Sequence, residues 1–178
     1  MFATLRRFAR ATHANAATEF ALVLPVMLTF AAGATEFGRA YQVYDASNKL
    51  ATQYAIAFAD CSDNPAGTCG TEAAMLAASN SIANVAPQLI VANTSLQLFE
   101  VQMSGTTPTV VYAAGYPSTP SGLTAAQSAA ASAAFSSGQT GVVVTVSYVH
   151  SLVYFPALMA PLLGGNLNPT YTITQLKY

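Results

Sequence analysis

The spacing of apolar and polar positions passes through three regimes along this chain. The first regime is continuous. From Phe20 to Thr35, sixteen residues pass without a charge, inside the stretch "AATEFALVLPVMLTFAAGA" that runs from Ala16 to Ala34. As a helix they rise about 24 Å, short of the ~30 Å of a typical hydrocarbon core. Extending the segment to Arg39 makes a membrane span feasible, with Glu19 in or near the apolar layer. The second regime has helical period. Phe37, Tyr41, Tyr44, Ala51, Ala55 and Phe58 recur at spacings of three, four or multiples, and Leu50 and Tyr54 widen the stripe. Together these predict one helix from about Asn15 to Asp60, half in lipid and half packed on an exported domain.

A second helix is expected from near Thr71 to just before Pro87, burying Met75, Leu76, Ser79, Ile82, Ala83 and Ala86. The third regime is extended. "SLQLFEVQM" from Ser95, "TVVYAA" from Thr109, "GVVVTVSYVH" from Gly141 and "TYTITQLKY" from Thr170 mix β-branched and aromatic residues with partial alternation. Between the second and third lies "PSTPSGLTAAQSAAASAAFSSGQ", read as loop with a short helix at its alanine-rich centre. The order predicts an α+β fold: a long N-terminal transmembrane and amphipathic helix packed on a small antiparallel sheet.

Composition sharpens the membrane reading. Charged residues make up 7% of the 178 residues, against roughly 25% in a soluble domain. The 53% hydrophobic content argues against disorder as the cause. A net charge of −1 offers no basic stripe for nucleic acid. Arg6, Arg7 and Arg10 precede the apolar run, whereas Glu36, Asp45, Asp60, Asp63, Glu72 and Glu100 follow it. By the positive-inside rule the N-terminus stays in the cytoplasm and the remainder is exported; the plainer reading is an ordinary basic tail. A charged Glu19 would cost about 2.5–3.5 kcal/mol at mid-bilayer and less near the interface, so a carboxylate there needs a partner or must be neutral.

"TEFALVLPVML" from Thr18, followed by "ATEFGRAY" from Ala34, resembles the N-terminus of the TadE-like family, minor pseudopilins of the bacterial tight-adherence (Flp) pilus systems. The resemblance covers about Ala14 to Tyr44. It implies a basic leader over residues 1–14, a transmembrane helix segment over 15–40 and an exported, pilin-like α+β domain over 41–178. In type IV pilin-like proteins a prepilin peptidase cuts the leader so that glutamate becomes the fifth mature residue. That count puts cleavage between Ala14 and Asn15, with alanine where the family usually has glycine. The resemblance further implies assembly through Glu19, Phe20 and Pro25, and a juxtamembrane motif of Glu36, Phe37, Gly38 and Arg39. The implied partners are the inner membrane, pilus subunits and other pseudopilins, the peptidase and the assembly platform. The new ammonium on Asn15 would lie one helical turn from Glu19. Pairing with that group on a neighbouring chain would fix the stagger of packed helices; the plainer alternative is a solvated, idle carboxylate. Pro25 removes a backbone donor, which reads either as a simple bend or as a site of local melting during assembly. Glu36 and Arg39 stand three apart and can pair.

Cys61 and Cys69 flank a turn-rich loop, "CSDNPAGTC", and in an oxidising compartment read as a disulfide. A metal site lacks a second Cys pair or a nearby His, a C-x-x-C redox pair is absent, and the calcium-loop spacing fails. Leu152 to Leu163 is apolar but broken by Pro156 and Pro161 and too short to span, hence a buried connection or a patch for a partner subunit. No nucleophile elbow, zinc-protease motif, phosphate loop or dinucleotide fingerprint occurs, so neither an enzyme nor a cofactor nor a small-molecule substrate is expected. His13 falls in the expected leader, His150 reads as an ordinary strand-end residue, and the Asn93-Thr94-Ser95 sequon carries little meaning. The competing reading is a soluble secreted binding domain or enzyme, released by signal peptidase after Ala34 in the A-x-A pattern Ala32-Gly33-Ala34.

Overall fold

The computed structural model describes residues 2–61, 67–154 and 168–177, with side chains from residue 16 onward. It divides into two compact units: Met1–Arg39 with Leu152–Leu162, and Ala40–Ser151 with Leu163–Tyr178. Helix α1 (Phe2–Ala59) is continuous through both. In the second unit follow α2 (Thr68–Leu76), α3 (Ser79–Val85), β1 (Thr94–Ser104), β2 (Thr107–Tyr116), α4 (Ala125–Ala134), β3 (Thr140–Tyr148) and β4 (Thr170–Leu176). The expected α+β class is met, and the strands form one antiparallel sheet in the order β2-β1-β3-β4.

The register follows from side-chain alternation. Leu96 and Leu98 of β1 lie opposite Val146 and Val144 of β3 on one face, while Phe99 lies opposite Val143 on the other. A two-residue Gly105-Thr106 turn, with Gly105 at φ +63°, joins β1 to β2 and pairs Ser104 with Thr107. Between Glu100 and Val101 the pairing steps from Tyr112 to Val110, so Val111 is an extra residue in β2, a bulge.

The first face is covered by the second half of α1. Val43, Ala46, Leu50, Ala51, Tyr54, Ala55 and Phe58 pack with Leu96, Leu98, Val142, Val144 and Val146, joined by Ala73 of α2 and Ile82 of α3. The stripe expected on α1 is correct from Leu50 onward and wrong before it. Phe37 and Tyr41 are 55% and 76% exposed, and Tyr44 is half exposed, meeting Tyr171 edge-on with ring centres 5.0 Å apart. The buried seam runs instead through Ala40, Val43, Ala46 and Ser47, one residue and about 100° away. Mostly small side chains occupy that seam, and the bulky rings are left outside.

The expected second helix is two helices. Ala78 is extended, with φ −68° and ψ 142°, which ends the first and starts the second. The phase therefore shifts: Ala73, Ala77, Ile82 and Ala86 are buried, while Met75 is exposed. The disulfide is present, with Cys61 and Cys69 both buried and their Cα atoms 5.7 Å apart. Beside it Lys177 Nζ sits 2.9 Å from Glu100 Oε1 and 3.4 Å from Cys69 Sγ.

The second face of the sheet is also covered, by the alanine-rich helix. Ala131 of α4 and the following Phe135 pack on Phe99, Val101, Met103 and Val143. A capping box starts α4: Thr124 Oγ1 accepts from the Gln127 N–H, and Gln127 Oε1 accepts from the Thr124 N–H at 2.8 Å. Gln127 Nε2 then donates to Gln97 Oε1 at 2.7 Å and to Thr145 Oγ1 at 2.9 Å, tying the helix to β1 and β3. Within the first core Tyr54 Oη lies 2.8 Å from Ser81 Oγ. Burial pushes this phenol above its ordinary range, and the Ser81 contact partly offsets the shift.

Two stability predictions follow from this packing. A Cβ at Gly115 would lie 2.7 Å from the Ser118 carbonyl oxygen and 2.8 Å from that of Leu96, whereas one at Gly122 meets nothing within 4 Å. Gly115→Ala is expected to lower stability by about 1–3 kcal/mol and Gly122→Ala to change it by less than about 0.5 kcal/mol, read by denaturant unfolding of the detergent-solubilised chain. Replacing both Cys61 and Cys69 with serine should remove about 2–3 kcal/mol in the same assay, the loop-closure value for so short a bridge.

Candidate functional site: the N-terminal helix and its carboxylates

From Ala16 to Leu28 every residue of α1 is exposed, including Phe20, Leu22, Val23, Leu24, Val26 and Met27. A soluble domain does not leave so long an apolar helical surface uncovered. By length and composition α1 is a candidate membrane span. Two of its hydroxyls bond back to the helix itself. The Thr29 hydroxyl donates to the Pro25 carbonyl at 2.8 Å, and the Thr35 hydroxyl donates to those of Ala32 and Ala31 at 2.8 and 3.1 Å. Helical structure continues through Pro25, whose missing N–H leaves the Ala21 carbonyl without its usual donor.

The expected site residues separate into two groups. Ala14 and Asn15 lie on α1. Glu19, Phe20 and Pro25 are exposed on the same helix, and no ion pair reaches Glu19 among the described residues. Glu36 stands seventeen residues later, about 26 Å up the axis, near the ~30 Å thickness of hydrocarbon. It is fully buried. Its Oε1 accepts the backbone N–H of Val153 at 2.6 Å and of Tyr154 at 2.7 Å, while Arg39 Nη1 approaches Oε2 at 3.6 Å. The expected Glu36–Arg39 pair is therefore present. Phe37 and Gly38 take no part: both are exposed, and a Cβ at Gly38 would touch nothing within 4 Å.

The contact with Val153 and Tyr154 is the part that the sequence did not disclose. Two successive backbone donors converge on one carboxylate oxygen, a charge-assisted arrangement stronger than neutral pairs. It fastens the start of the apolar Leu152–Leu163 segment to α1; residues 155–163 lie outside the described residues. The only hint in the sequence was an acid inside an otherwise small-residue seam, Ala32, Glu36, Ala40. His150 is half-buried, its backbone N–H donating to Asn168 Oδ1 at 2.8 Å, and Asn93 of the sequon accepts the Val149 N–H through its carbonyl. Among the described residues no cluster of three or more His, Cys, Asp or Glu could hold a metal ion.

Glu36→Ala should strand both donors, each worth about 1–3 kcal/mol when unpaired. Amide hydrogen exchange at Val153 and Tyr154 should accelerate by about tenfold or more; unchanged exchange would show that the carboxylate does not hold the segment.

No curated protein and no solved structure matches the chain significantly. A family model, described as TadE-like protein, matches residues 15–55. The match covers the exposed apolar run, Glu19, Glu36 and the helix seam as far as Ala55, so this stretch of α1 is similar to the TadE-like family.

Proposed function

We propose that the protein is a membrane-anchored minor pseudopilin that takes part in assembling a tight-adherence (Flp) pilus. The TadE-like match associates the chain with that pilus system. The observation that carries the finer reading is the exposed apolar surface of α1 with Glu19 at its leading end. In this reading α1 spans the inner membrane once, Arg6, Arg7 and Arg10 stay cytoplasmic, and the sheet domain faces outward. The Cys61–Cys69 bridge supports an oxidising destination. Prepilin peptidase cuts between Ala14 and Asn15, and the new ammonium pairs with Glu19 of the same or an adjacent helix, setting axial register. The role is structural: it lies in contacts with pilus subunits and the assembly platform.

Two measurements test this. N-terminal sequencing of the mature protein should begin at Asn15; a start at Thr35 would remove Glu19 with the export signal and overturn the reading. In cells, Glu19→Ala should leave the protein in the membrane fraction while pilus number falls to near zero. Normal piliation in that variant would dismiss the registry role.

A further inference from the structure

Tyr154 does more than donate its N–H to Glu36. With Leu28, Ala31, Ala32 and Thr35 it lines an open groove of about 330 Å³ on the first unit. Leu28 precedes Glu36 by eight residues, roughly 12 Å along the helix axis. Tyr154 thus lies along α1 between the buried acid and the exposed apolar run. Val153 and Tyr154 remain 56% and 46% exposed there.

Irregular backbone is tolerated at membrane depth only where its polar groups are paired. The N–H groups of Val153 and Tyr154 meet that condition, because Glu36 Oε1 accepts both of them. Tyrosine also has the form suited to the level between hydrocarbon and water, an apolar ring with a polar tip.

We propose that Val153 and Tyr154 form a second membrane contact, seated in lipid at the interfacial layer beside the Glu36 end of the span, with Glu36 carrying the backbone donors that entry into that layer would otherwise strand. The occupant of the exposed side is lipid, since the groove is continuous with the apolar run through Leu28 and shares its exposure. The inference rests on the reading that α1 spans the membrane.

The chain contains no tryptophan, so a single substitution supplies a unique fluorophore. Full-length Y154W is reconstituted in phosphatidylcholine–phosphatidylglycerol vesicles, with or without acyl chains brominated near the headgroup. F30W, at an exposed position within the apolar run, reports the span alone. Bromine should quench Y154W emission by about half and F30W measurably, the interfacial aromatic being within reach of the label. Quenching of F30W without Y154W would overturn the second contact and leave the span standing. Quenching of neither would overturn both. A blue-shifted Y154W emission insensitive to bromine would mean a protein surface, such as a second subunit's helix, covers the site, and would also defeat the proposal. Adding Glu36→Ala should abolish most of the Y154W quenching, and Glu36→Gln, which keeps an acceptor oxygen, should retain part of it. Full quenching with Glu36→Ala would remove Glu36 from the mechanism.

Discussion

Packing of one face of α1 on the sheet is the constraint on which the fold of the second unit depends. Along α1 the buried positions are Ala40, Val43, Ala46, Ser47, Leu50 and Ala51 before the larger Tyr54 and Phe58. Leu96, Leu98, Val142, Val144 and Val146 of the central strands share one core with that face. Interiors are packed at near-crystalline density, and a ring at Ala46 or Ala51 would push the helix away. The aromatic residues that the period seemed to offer to the core are excluded by the same condition.

The two acids of the TadE-like segment solve different problems. Glu19 is exposed at the leading end of an apolar surface, and no ion pair reaches it among the described residues. Glu36 is compensated at home, by two backbone donors and an arginine three residues on. A buried carboxylate without such donors would be strongly disfavoured. With them it becomes a fastening between helix and chain 117 residues apart in sequence. Arg39 keeps 42% of its side chain exposed, so its contribution at 3.6 Å is screened and the backbone donors dominate.

Local signals were legible and non-local ones were not. The long helix, all four strands, the cysteine bridge and the short alanine-rich helix each rest on patterns within about ten residues, and the sequence shows them. Before Leu50 the α1 seam differs in phase from the spacing of the aromatic residues. Phe37, Tyr41 and Tyr44 are large enough to dominate any periodicity, yet the sheet selects the small positions beside them. The break at Ala78 has no proline or glycine to announce it. The second covered face of the sheet was hidden as well, since Gln127 reaches Gln97 and Thr145 only in the folded register. Glu36 was visible as half of an i, i+3 pair, but its stronger partners lie on backbone, which carries no residue signature.

On the membrane-anchored reading, that difference of phase has a physical meaning. A helix serving lipid and protein in succession needs opposite surfaces in its two halves. In lipid no hydrophobic gain follows from hiding large apolar side chains, so Phe20, Leu22 and Phe30 can stay outside. In water the same exposure would be costly, and beyond Leu50 the large residues Tyr54 and Phe58 are turned inward. Phe37 and Tyr41 fall between the regimes, just past the charge-free run, where rings are stable at the headgroup level. Their exposure fits a stretch of helix that meets the interface, and on that reading they stand at the same end of the span as Glu36 and Arg39.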